Sequence, residues 1–251
     1  MKNKNAQVTI FIIIAILIVV TVITTIYFMK KTDTVESASI NPKALVDKCV
    51  QGLVEDSIKK MLLNGGEAAP SQYINYQGEE YNYLCYQADY YLNCYNIHPM
   101  LERQIEGEIY EDTKVGVQNC FNSMRQELEN QGFTLSGGET TYSVNLLPGY
   151  AAINLQKRIS ITSPSGGSQN FNDFNTRVMS PIYDLILVAR EIINAESQFC
   201  NFEYNGYMLL YPQYDIRRID YSDSKIYRLI DRKSKEELKF AVRSCAFAPG
   251  I

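Results

Sequence analysis

The residues best equipped for chemistry are six cysteines, Cys49, Cys85, Cys94, Cys120, Cys200 and Cys245, and none lies in a CxxC or a histidine-containing metal pattern. An even set without ligand spacing points to disulfides, and so to an oxidising compartment. Of the fifteen pairings that six cysteines allow, three have support in the surrounding sequence. A turn near Asp89 would set Cys85 opposite Cys94 across a short hairpin. Cys200, just past an apolar helix, could reach Cys245 on the last strand, and Cys49 could meet Cys120 if two helices pack by their apolar faces.

The only histidine is His98, beside Pro99 at a predicted helix start, which reads as a surface or capping residue. Two SxxK matches, Ser57 to Lys60 and Ser222 to Lys225, have the form of a serine nucleophile with a lysine base. The companion KTG and SDN signals are missing, and the first serine falls inside an amphipathic helix. Glu106, Glu108, Glu111 and Asp112 read as a solvated helix face. No GxxxxGK[ST] or GxGxxG occurs, and Gly65-Gly66, Gly137-Gly138 and Gly166-Gly167 read as helix stops and turns. No catalytic residue, metal site or cofactor is expected.

Tyrosine stands above background. Tyr73, Tyr76, Tyr81, Tyr83, Tyr86, Tyr90, Tyr91 and Tyr95 crowd one short segment. Tyr81, Tyr83, Tyr86, Tyr90, Tyr91 and Tyr95 are the candidate binding surface, since tyrosine offers a large rigid contact area with a polar end. Tyrosine is also a good strand residue, which gives the same residues a packing role on one sheet face.

The elements that must carry these residues begin with an anchor. From Val8 to Met29 the chain has no charge, proline or glycine. As a helix rising about 1.5 Å per residue, the run covers roughly 33 Å, against a hydrocarbon core of about 30 Å. Lys2 and Lys4 before it and Lys30 and Lys31 after it leave the orientation undecided by charge. The cysteines place the rest of the chain outside the cytoplasm. With 251 residues and a net charge of −4, the chain can bury one substantial core and gives no reason to expect a nucleic acid partner. In the C-terminal third, Arg217, Arg218, Arg228, Arg232, Lys233 and Lys235 alternate with Asp215, Asp220, Asp223 and Asp231, a mixture that suits exposed strands with cross-strand charge pairs. No NxS or NxT sequon occurs, so N-glycosylation is not expected.

The leader KNAQVTIFIII resembles the class III signal peptide of archaeal type IV pilins, a short basic stretch followed by a small residue, Gln and the apolar helix. The resemblance implies cleavage by a prepilin peptidase between Ala6 and Gln7, with the helix retained. Phe11 stands where many pilins have Glu, and SASINP at Ser37 to Pro42 interrupts any continuous helical spine. Both departures favour a tethered domain over a filament subunit. The remainder is similar to uncharacterised archaeal membrane-anchored proteins with this leader, an early Cys on a helix ending at Gly-Gly, and a closing strand like KFAVRSCAFA.

Three helices are expected in the domain. The first starts with Asn41 as cap and Pro42, carries Leu45, Cys49, Leu53, Val54, Ile58, Met61 and Leu62 as its apolar stripe, and stops at Gly65-Gly66. The second runs from about Met100 to Gln131, with Leu101, Ile105, Ile109, Cys120, Phe121, Met124 and Leu128 on one face. The third spans roughly Pro181 to Phe199, with Ile182, Leu185, Ile186, Ala189, Ile192 and Ile193 apolar. Period-two stretches suggest a hairpin at Tyr81 to Tyr95, a meander at Thr140 to Thr162 broken at Pro148-Gly149, and several strands over Tyr207 to Cys245 with a basic turn at Arg232 to Lys235. SPSGGSQN at Ser163 to Asn170 reads as a mobile loop.

The expected fold class is α+β, one transmembrane helix followed by a soluble domain of three helices and antiparallel strands. The chain divides into a basic leader at 1–6, a transmembrane helix at 7–29, a linker at 30–41 and an extracytoplasmic α+β domain at 42–251. The expected function is a membrane-anchored envelope protein with a disulfide-stabilised binding or adhesion domain. Membrane lipid and a surface protein or glycan are its partners, alongside prepilin peptidase. A minor pilin-like subunit and a membrane-anchored hydrolase are the alternatives.

Overall fold

The computed structural model describes residues 14–26 and 41–248. Residues 1–41 form one unit and 42–251 another. In the first, residues 14–26 are helical (α1), and Thr21, Thr24 and Thr25 each donate to carbonyls one turn back, at 2.8 to 3.0 Å, which removes the cost of their hydroxyls in an apolar run. Among the described residues no helix is long and apolar enough to cross a membrane. Both ends of the span expected at 7–29 lie outside the described residues, as do Ala6, Gln7 and the linker up to residue 40.

The second unit is α+β. Helix α2 (Pro42–Leu63) starts where the Asn-Pro pair predicts and stops at Gly65 and Gly66, both at positive φ. Its buried stripe corrects the predicted one. Val46, Val50 and Val54 are fully buried, whereas Leu45 is exposed and Leu53 half-buried. The physical reason is that α2 meets neighbours on two faces, one buried and one still partly open, with Cys49 and Lys60 exposed. The valine face meets the sheets, and a second face carrying Cys49, Leu53 and Lys60 runs antiparallel along α3 (Leu101–Asn130). There Cys49 bonds Cys120, Leu53 lies over Gly116, and Lys60 Nζ meets Asp112 Oδ1 at 2.8 Å. All seven apolar positions predicted for α3 are buried, and Gly132 ends it at φ +85°.

Sheet one has the order β1-β2-β11-β10-β9, with the two-residue β3 also on β2. Strands β1 (Tyr73–Tyr76) and β2 (Glu79–Tyr86) form a hairpin through Gln77 and Gly78, both at positive φ, the two-residue turn that matches strand twist. Strands β9 (Tyr214–Tyr221), β10 (Ser224–Asp231) and β11 (Glu237–Arg243) form a meander with the expected basic turn. The all-antiparallel expectation fails at one place: β2 and β11 pair in parallel. Hairpins from the two ends of the domain meet edge to edge, and the whole intervening chain serves as the long crossover that parallel pairing requires.

Sheet two is built on the 13-residue β6 (Tyr150–Thr162). On one side it pairs β5 (Thr141–Leu147), across the Pro148-Gly149 turn, and β4 (Thr134–Gly137); on the other it pairs β8 (Thr176–Met179) and β7 (Ser168–Asp173). The stretch expected to be a mobile loop from Ser163 is a tight turn closed by Ser163 N to Gly167 O at 2.7 Å, and from Ser168 it is strand. Helix α4 (Ile182–Phe199) touches strands of both sheets and buries its whole predicted stripe, so the core lies between the sheets around it. A short helix α5 (Tyr204–Leu210) occupies residues expected to begin the C-terminal strands; seven residues carry too little periodicity to be read.

Candidate functional site

Three disulfides, Cys49–Cys120, Cys85–Cys94 and Cys200–Cys245, join the cysteines in the pairs expected, with Cα atoms 5.8, 5.4 and 5.7 Å apart. Each rests on local structure. The first joins the facing sides of α2 and α3. The second closes the loop between β2 and β3 (Tyr95–Asn96), where Tyr86 pairs with Tyr95. The third ties the left-handed cap of α4, Cys200 at φ 54°, to the segment after β11.

The candidate tyrosines do not form one surface. Tyr81 and Tyr83 are 3% and 6% exposed and belong to a cluster with Ile226 and Ala241, covered by Ile74, Tyr76, Tyr86 and Ile219. The Tyr83 hydroxyl shares a 2.8 Å hydrogen bond with Ser224 Oγ. The Tyr81 hydroxyl donates to Glu79 Oε2 at 2.9 Å, and burial together with that carboxylate pushes its pKa up to about 12. Tyr86 sits edge-on against Tyr83. These three are sheet packing, because β2 is an interior strand and its tyrosines fall on a face that other side chains close over.

Tyr90, Tyr91 and Tyr95 are different, at 38%, 50% and 71% exposure: Tyr90 and Tyr91 lie in the loop where the chain leaves the sheet after Tyr86, and Tyr95 lies on the two-residue strand β3 that ends it. Their loop is nonetheless fixed. Tyr91 N donates to Ala246 O at 2.9 Å, Cys245 N donates to Leu92 O at 2.8 Å, and Asn93 Nδ2 donates to the carbonyls of Ser197 and Gln198. Tyr91 packs edge-on against Phe247 with ring centroids 5.8 Å apart. The Arg243 guanidinium lies 5.1 Å from the Tyr90 ring and is held by Asp223 at 2.7 Å. The loop, the end of α4 and the C-terminal segment thus form one rim, clamped by Cys85–Cys94 and Cys200–Cys245. Leu92, Phe199 and Phe247 stand on it at 49%, 74% and 76% exposure. Sequence reasoning missed these three. Their signal is position: each lies one or two residues from a cysteine.

The nucleophile candidates are not brought together with a base. Lys60 is engaged by Asp112, whose carboxyl it holds below the usual range, and Ser57 is buried between helices. Ser222 stands in the β9–β10 turn at φ 58°, while Lys225 Nζ reaches Glu196 Oε2 at 2.6 Å. His98 Nδ1 meets Gln104 Oε1 at 2.6 Å with Glu67 3.5 Å from Nε2, so it braces the first turn of α3 from outside; the cap position is Met100, and the largely covered His98 is neither the cap nor an open surface residue. The carboxylates expected to be merely solvated are mostly ties. Glu106 accepts from Leu146 N at 2.8 Å, Glu108 from Ala68 N at 3.0 Å, and only Glu111 is confined to its own helix, with Lys114.

A buried group that the sequence did not reveal is Glu196, fully buried near the end of α4, which takes Tyr227 Oη at 2.5 Å as well as Lys225. Burial and the neighbouring carboxylate raise the Tyr227 pKa far above its ordinary value. No triad or oxyanion donor set accompanies it, and among the described residues no cluster of His, Cys, Asp and Glu could hold a metal ion. Comparison with protein-family profiles, curated proteins and solved structures gives no match for this chain, so what the rim does must be argued from its own chemistry.

Proposed function

We propose that this chain is a membrane-anchored envelope protein whose disulfide-stabilised domain is a non-enzymatic binding module, and that the rim bearing Tyr90, Tyr91, Leu92, Tyr95, Phe199 and Phe247 is its contact surface for a surface protein or glycan. The observation that carries this reading is that two of the three disulfides clamp the rim. Exposed aromatic side chains on a braced scaffold lose little conformational freedom on contact, which is the condition under which a small apolar patch binds usefully.

The anchor is supported by the apolar run at 8–29 and by α1, whose Ile16, Leu17 and Ile23 are each more than half exposed, as they would be towards lipid. The outward location is supported by the three disulfides. Processing between Ala6 and Gln7, and with it the pilin-like reading, rests on the resemblance of the leader. A Ser/Lys hydrolase is disfavoured because both lysines are committed to carboxylates.

The test is protease shaving of intact cells, together with binding of the full chain, solubilised in detergent micelles, to immobilised envelope proteins and glycans. The domain should be degraded along with known exterior proteins, and Tyr91→Ala and Phe247→Ala should weaken that binding while leaving the disulfides intact. A domain that survives shaving would overturn the location, and binding unaffected by either variant would overturn the rim.

A further inference from the structure

Strand β9 leaves part of one sheet edge open. The turn between β9 and β10 has two residues, Ser222 and Asp223, and Tyr221 pairs with Ser224 across it. In such a turn the flanking residues form a hydrogen-bonded pair, so Asp215, Arg217, Ile219 and Tyr221 aim their backbone groups at β10. By alternation Ile216, Arg218 and Asp220 aim theirs at the open side. The first of these is covered, because Ile216 N donates to Met208 Sδ of α5 at 3.1 Å. Among the described residues the outward N–H and C=O groups of Arg218 and Asp220 meet no hydrogen-bond partner.

An open edge invites pairing with another chain, and proteins discourage it with short strands or with charged side chains. Strand β1, at the other edge of sheet one, has four residues, whereas β9 has eight and carries charges of both signs. When two copies of β9 pair antiparallel, outward groups must face outward groups, so even-numbered residues face even-numbered ones and odd face odd. A twofold axis through Arg217, Arg218 or Asp220 sets that charged residue against itself. An axis through Ile219 instead sets Arg218 opposite Asp220 of the second copy and Asp220 opposite its Arg218, with Ile219 against Ile219 and Tyr221 across from Arg217. Arg218 already holds Asp220 of its own strand at 3.2 Å, so the same-strand pairs close into a square of alternating charge.

We propose that this chain forms a twofold dimer through the stretch of β9 from Arg218 to Tyr221, which joins two copies of sheet one into a continuous sheet. Reciprocal backbone bonds between Arg218 and Asp220 give the pairing its hydrogen bonds. The Ile219 contact and the Arg217–Tyr221 cation–π pair lie on the outer face of the sheet, where Arg217 and Tyr221 are exposed. A second copy is the occupant that the charges select, because each interfacial group meets its opposite only when the same sequence returns about the axis.

The full chain in detergent micelles should sediment as a dimer. Asp220→Lys, which sets a cation opposite Arg218 on both sides of the axis, should raise the dissociation constant about tenfold or more. The Asp220 side chain is exposed and bonds only within its own strand, so folding is not at stake. All the cysteines are in disulfides, so Ile219→Cys introduces one reactive thiol. Residues that face each other at a non-hydrogen-bonded site have Cα atoms about 4.5 Å apart, within disulfide reach. Ile219→Cys should therefore give a covalent dimer on mild oxidation, while Arg217→Cys and Tyr221→Cys should cross-link only when mixed with each other. A monomer, a dimer unaffected by Asp220→Lys, as one held by the apolar N-terminal segment would be, or cross-linking of Arg217→Cys with itself would each overturn the proposal. Tyr91→Ala and Phe247→Ala should leave the dimer intact, which separates its failure from failure of the aromatic rim.

Discussion

The hydroxyl of Tyr227 donates to Glu196 Oε1 at 2.5 Å, and both side chains are shut off from solvent. With Lys225 on the other oxygen, the carboxylate joins α4 to strand β10 of sheet one, and the Glu196 backbone carbonyl also takes Ser244 Oγ at 2.8 Å. Removing one partner of such a set leaves a buried charge uncompensated. Glu196→Gln should therefore destabilise the domain by about 3 kcal/mol. Tyr227→Phe should cost about 1–2 kcal/mol. Urea unfolding followed by tyrosine fluorescence will rank the two, and the reverse order would show that the hydrogen bond, not the charge, dominates.

The disulfides close loops of very different length, with sequence separations of 71 for Cys49–Cys120 and 9 for Cys85–Cys94. If each acts on the unfolded chain through loop entropy, replacing the first pair by alanine should cost about 2 kcal/mol more than replacing the second. Equal losses in thermal unfolding would argue that native packing sets their worth instead. Alkylation of the unreduced protein should label no cysteine.

Two glycines should respond with opposite sign. Gly65 sits at φ +65°, and a β-carbon there would lie 2.9 Å from Asn82 Cβ and 3.1 Å from the Lys239 carbonyl, so Gly65→Ala should destabilise by about 1–3 kcal/mol. Gly107 lies within α3 with nothing near its missing β-carbon, and Gly107→Ala should stabilise by about 0.5–1 kcal/mol through helix propensity. Denaturant midpoints of the two variants decide the matter.

Acid should loosen the aromatic rim through Asp223. Partial burial pushes its carboxyl up, but the Arg243 guanidinium at 2.7 Å outweighs this and holds it below its ordinary value. A depressed carboxyl contributes stability above the unfolded value of about 4 and loses it as pH falls through the folded one. The melting temperature of wild type should accordingly exceed that of Asp223→Asn at pH 7, with the gap closing below about pH 4. A gap that persists in strong acid would mean that Arg243 is held by its other contacts, the Gln87 carbonyl and the Tyr86 and Tyr90 rings.

The sequence by itself determined the elements whose signals are local. The boundaries of α2, α3 and α4 follow from Pro42, Gly65, Gly132 and apolar spacing, and the Pro148-Gly149 turn and the basic turn before β11 from their turn residues. The three disulfide pairs were legible because each cysteine lies on or beside an element whose direction could be read. The hairpin through Gln77-Gly78 also had a local signal, a two-residue x-Gly turn between tyrosine-rich strands, and it stands just ahead of the expected Tyr81 to Tyr95 pairing, which is present as the short antiparallel contact of β2 with β3.

Only the tertiary structure decided which tyrosines are core and which are rim. Strand composition is the same for both, and exposure depends on where β2 leaves the sheet and on what closes over it. The same holds for the second contact face of α2, for the parallel pairing of β2 with β11, and for Glu196. Each is set by partners far apart in the chain, and periodicity along one segment carries no information about the neighbour that it will meet.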